Sequence, residues 1–166
     1  MKEDLKHKIG LVVVVASLLA VFVMPMVMAA GEEQIACTVT AGMYSVDLTR
    51  NVVDYGVMVV NENSSDPDGA INATNIGGVT EDLLIRGTNA TTEGGEWALA
   101  DTIGTDQYRH TFNTGTEHNL TLANQMLVND LIADGVQEFT LKLYAPSSIT
   151  TTGDYETTVI VVATPP

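Results

Sequence analysis

Asp66 and Asp68 stand two residues apart in Ser64-Ser65-Asp66-Pro67-Asp68-Gly69, the one place where side-chain oxygens cluster ahead of a glycine able to turn sharply. Calcium takes six to eight oxygen ligands from loops of this kind. The match to a complete loop is partial, because Asn75 occupies the position where a bidentate glutamate would close the site. Two readings therefore stand, a calcium site on Asp66 and Asp68 or a plain polar turn. No other cofactor is indicated. His110 shares its strand face with Tyr108 and Phe112 and reads as a packed histidine with one hydrogen-bonded nitrogen, while His118 lies beside Glu117 in a loop. Two remote histidines do not supply the several nitrogen or sulfur ligands that zinc requires.

Nucleophile elbows, His-Glu-x-x-His helices and nucleotide-binding glycine loops are absent from the sequence. Glu81 and Asp82 are adjacent on a strand pattern and point to opposite faces, so they cannot flank one scissile bond. The sequence therefore reads as that of a protein without catalytic function. Asn-x-Ser/Thr sequons occur at Asn63, Asn72, Asn89 and Asn119, and in an exported chain these are potential glycan acceptors. Cys37 is the only cysteine, so no intrachain disulfide framework exists. Alternation with Ile35 and Val39 makes that thiol one of three apolar groups on a single strand face.

These residues need a place to work, and the N-terminus indicates where that is. Lys2, Lys6 and Lys8 precede an uncharged apolar run from Ile9 to Val23, Pro25 ends it, and Ala29 and Ala30 offer a small-residue cleavage position. That is the pattern of a secretory signal peptide over residues 1–30, or of an uncleaved anchor. In either case the domain over residues 31–166 lies outside the cell membrane, at the cell surface or in the extracellular space. A membrane partner would be engaged only through that leader, if it stays uncleaved.

The whole chain carries a net charge of −14. Beyond the leader its basic residues are Arg50, Arg86, Arg109 and Lys142, scattered singly, so no basic patch neutralises phosphates and nucleic acid is excluded as a partner. Length allows one domain. Period-two, β-branched and aromatic segments recur at 34–40, 45–48, 52–60, 70–75, 82–86, 97–100, 107–112, 137–144 and 155–162. Glycine and Asx clusters separate them. Only Leu120 to Ile132 has spacing compatible with a helix. The expected fold is all-β, a single antiparallel β-sandwich of jelly-roll or immunoglobulin-like type.

The run Thr74-Asn75-Ile76-Gly77-Gly78, continuing through Asp82, Ile85, Gly87 and Thr88, resembles a family of secreted archaeal and bacterial β-sandwich surface proteins. Their pattern is T-N-x-G-N-x-x-x-D-x-x-I-x-G-T, and this chain departs from it at Gly78. In architecture, a leader followed by one such domain is similar to camelysin-type biofilm fibre subunits and archaeal bundling pilins. That resemblance implies subunits that join by lending a strand to a neighbour. The segment after the cleavage position, Glu32 to Thr40 with Ile35, Cys37 and Val39 on one face, is then the donor strand. The function expected is a structural subunit of an extracellular filament, pilus or surface layer, with self-association into a polymer as its partnership. A monomeric surface-binding or envelope module is the alternative, in which the same segment is simply the domain's first strand.

Overall fold

Alternating burial is the organising feature of a computed structural model whose described residues are 42–166. In β3 (Ile71–Asn75) and β4 (Glu81–Arg86) every second side chain is buried, and in β10 (Val136–Tyr144) Phe139, Leu141 and Leu143 are buried while Thr140 and Lys142 face away. This is what strands with one wet face require. The other strands are β1 (Val46–Leu48), β2 (Asn63–Ser65), β5 (Ala90–Thr92), β6 (Gly95–Leu99), β7 (Gln107–Asn113), β8 (Glu117–Asn119), β9 (Gln125–Leu131) and β11 (Ile160–Thr164). No helix occurs among the described residues, so the chain there is all-β.

Two sheets form. The larger has eight strands in the order β1-β3-β10-β7-β6-β5, with β2 added to β10 and β8 to β7, and the smaller has the order β11-β4-β9. Long, apolar β10 is the hub of the large sheet, pairing antiparallel with β2, β3 and β7. One pair departs from the all-antiparallel expectation: β6 runs parallel to β7, with Ala98 opposite Gln107. The reason is the intervening chain, which folds back through Gly104 and the left-handed Asp106 instead of a two-residue hairpin. Ile71, Ala73, Phe112, Phe139 and Leu141 from the large sheet and Leu83, Ile85 and Leu127 from the small one form one core cluster. Ala90, Tyr108 and Leu143 form a second, with Trp97, Met58 and Tyr155 against it, and Tyr55 packs on both.

His118, expected in a loop, lies in β8, residues 63–65, expected in a turn, form β2, and three segments expected as regular elements differ. Residues 120–132, whose spacing suited a helix, hold β9, because antiparallel pairing with β4 absorbs the misphased residues in register shifts along the ladder. Residues 52–60 do not form a regular strand. Gly56 takes a left-handed φ of 68° and Val57 is 98 % exposed, so the alternation breaks midway. Residues 155–162 pair in a ladder only from Ile160 onward. The segment 34–40, with Ile35, Cys37 and Val39, lies outside the described residues, as does the leader.

The stretch around Asn75 has a clear structural task. Asn75 is fully buried; its amide nitrogen donates to the carbonyls of Val79 at 2.9 Å and Leu131 at 2.8 Å, and its oxygen accepts from the Gly77 amide at 2.8 Å. Gly77 admits no side chain, since a Cβ there would come within 2.1 Å of the Met43 carbonyl oxygen. Glu81, also fully buried, accepts from the Ser45 amide at 2.9 Å. These residues fasten the β3–β4 connection to the beginning of the described chain.

Candidate functional site

The loop singled out for calcium is closed by an arginine. Arg50 donates to both carboxylate oxygens of buried Asp66, to the Gly69 carbonyl, and approaches Asp68 at 3.2 Å. The Asp66 carboxylate also accepts from the Asp68 amide at 3.0 Å. This double salt bridge raises the Arg50 pKa, the hydrogen bond that Arg50 donates to Asp66 first among the causes. A guanidinium thus sits where a cation would, and calcium could use these carboxylates only by displacing it. No group of three or more metal-ligating His, Cys, Asp or Glu side chains occurs among the described residues.

The four sequons differ in what their side chains do. Asn63 is exposed at the start of β2. Asn72 projects from the wet face of β3. Asn89 is committed to structure, since its oxygen accepts from the Leu99 amide at 3.0 Å and its nitrogen donates to Glu96 at 3.1 Å. Asn119 donates to the Asp101 carbonyl at 3.4 Å and borders a cavity of about 390 Å³ with His118 and Gln125.

A much larger space lies elsewhere. Between the segment 50–58, the inner faces of β3 and β10, and the segment 153–161 there is a cavity of about 890 Å³. Leu48, Ile71, Leu141, Val159 and Val161 give it an apolar end, while Tyr55, Trp97, His110 and Tyr155 line an aromatic one. Exposed Val52 and Val57 also line it, together with Arg50, Asp54, Asp154 and Glu156, so it is a half-open groove and not an interior void. Val161 belongs to β11, which pairs with β4 on one side only among the described strands. β11 reads Ile160-Val161-Val162-Ala163-Thr164, without charge or proline until Pro165. An apolar edge that no described strand pairs therefore borders this groove.

Sequence reasoning placed His110 correctly as a packed, hydrogen-bonded histidine. Its Nε2 lies 2.9 Å from the Tyr55 hydroxyl, and its ring meets that of Tyr55 edge-on at 5.7 Å. Burial lowers the His110 pKa to about 4 and raises that of Tyr55, so both are neutral. Burial likewise pushes Tyr108 up to about 12; its hydroxyl donates to the Thr88 carbonyl and lies 2.7 Å from the Thr157 hydroxyl. Trp97 stacks on Tyr155 with ring centroids 3.8 Å apart. The groove escaped the sequence reading because its walls come from segments about a hundred residues apart; its one local sign was the apolar 52–60 run. No family model, curated protein or solved structure matches this chain.

Proposed function

We propose that this protein is a noncatalytic structural subunit of an extracellular filament, pilus or surface layer, exported by its N-terminal leader. Its two sheets, sharing one core, are the halves of a β-sandwich, and subunits join when a neighbour adds a strand to the open side. The observation that carries this reading is the β11 edge, which no described strand pairs, beside the groove of about 890 Å³. An added strand would satisfy the backbone groups of that edge and fill the groove with its inward side chains. Because lender and acceptor surfaces differ, the contact is heterologous and repeats head to tail, which yields a filament and not a closed pair. The resemblance to secreted surface proteins and strand-lending fibre subunits points the same way.

Blocking the edge tests this. Val162→Lys and, separately, Thr164→Lys put a charge on β11 and should abolish concentration-dependent association seen by light scattering, with little change in melting temperature. Wild-type protein that stays monomeric at every concentration overturns the proposal in favour of a monomeric surface-binding or envelope module.

A further inference from the structure

In the small sheet β9 is the edge away from β11, with β4 between them. Met126 at its start, Phe112 of β7, His118 and Asn119 of β8, and Asp101 after β6 enclose the cavity of about 390 Å³ that Asn119 borders. Its polar groups are open to solvent and largely uncommitted. Asp101 and His118 are exposed, and the imidazole nitrogens make no hydrogen bond among the described residues. The one approach to the Asp101 carboxylate there is the Asn119 amide nitrogen at 3.5 Å, which also reaches the Asp101 carbonyl at 3.4 Å. The Asn119 side-chain oxygen is left to accept. The His118 ring lies against Phe112, centroids 5.4 Å apart and tilted by 30°, so its place is set before anything binds.

A carboxylate that accepts twice, an imidazole able to donate and accept, and an amide oxygen stand side by side. Hydroxyl groups, which do both, match that set. Neither lysine nor arginine lines the cavity, so a phosphate or sulfate meets no counter-charge. Asp101 and His118 alone give a metal ion too few protein ligands. Half-exposed Met126 adds a small apolar wall, too little for a lipid chain. The volume sits at the lower end of the ~300–1,000 Å³ usual for small-molecule sites. The sequon supplies an independent sign. Its first and third residues, Asn119 and Thr121, both line the wall, so a glycan attached at Asn119 would begin inside the cavity.

We infer that this cavity is a carbohydrate subsite that takes one neutral sugar ring, with vicinal hydroxyls on the Asp101 carboxylate, a third on His118 and a C–H face against Met126. The ring comes either from a free glycan that the protein binds or from the chain's own glycan on Asn119. This goes beyond the structural role proposed above and does not depend on it, since β9 and β11 are separate edges. In a filament the site would recur in every subunit, and weak single contacts would add up.

The first arm of the test titrates the full chain, made in a host without N-glycosylation, with glucose, galactose, mannose and N-acetylglucosamine in turn. At least one should bind with a Kd of about 1 mM by calorimetry and shift the His118 imidazole resonances. Asp101→Ala should weaken that binding about tenfold at unchanged melting temperature. The second arm takes protein from its native host, with mass spectrometry at Asn119. A glycan there whose enzymatic removal shifts His118, in a protein that binds no free sugar, upholds the subsite and names the chain's own glycan as its source. Free-sugar binding lost in Asp101→Ala names the external source. If no sugar binds and deglycosylation leaves His118 unmoved, or Asn119 is bare, the inference is overturned. Sugar binding that survives both Asp101→Ala and His118→Ala lies elsewhere and overturns it as well, as does a His118 shift produced by zinc or calcium and by no sugar.

Discussion

His110 shows how far burial can move a single group. Its pKa of about 4 lies below the usual 6.5, with desolvation as the main cause and the charge of Asp66 opposing it. A base whose folded pKa is depressed costs nothing above pH 6.5, where both states are neutral. Between 6.5 and 4 the unfolded chain takes a proton that the folded one refuses, so stability falls with pH. Below 4 the loss is complete, at about 3 kcal/mol. Thermal unfolding from pH 7 to pH 4 should show this decline, and His110→Gln, which can still accept from Tyr55, should remove that part of the slope. A slope unchanged in the variant would assign the decline to the carboxylates.

Elements rather than residues decide the fate of the acidic loop. Arg50 follows β1, Asp66 follows β2, and β2 is held against β10. The salt bridge thereby ties the chain after β1 to the hub strand. If Arg50 keeps its place, saturating calcium leaves the melting temperature unchanged in wild type. In Arg50→Ala the freed carboxylates become available, and calcium should then raise the melting temperature with the logarithm of its concentration. A rise in wild type would mean that the ion displaces the guanidinium.

The same scale shows what could be read beforehand. β4 and β10 announce themselves because their alternation is their burial pattern. β2 could not be read, since Asn63-Ser64-Ser65 has the composition of a turn and becomes a strand only by pairing with Lys142–Tyr144. Residues 52–60 misled in the opposite sense: valine and tyrosine alternate there, but Gly56 and the absence of a ladder partner among the described strands leave them irregular. Of the site, the inward role of His110 was legible. The groove was not, because only the topology brings Trp97, His110 and Val161 to one space.

For the whole molecule, the position of β10 governs timing. The large sheet has its centre in residues 136–144, and β3 and β7, on either side of that strand, do not pair with each other. A growing chain therefore lacks the middle of its main sheet until its last quarter has been made, and six of the nine ladders among the described strands join strands more than twenty residues apart. Chains dominated by such distant pairings fold slowly, in about milliseconds to seconds. Refolding from denaturant should fall in that range, and a chain ending before Val136 should remain unfolded. For the export proposed above, which would thread the chain unfolded through a membrane pore, this late keystone would act as a built-in delay.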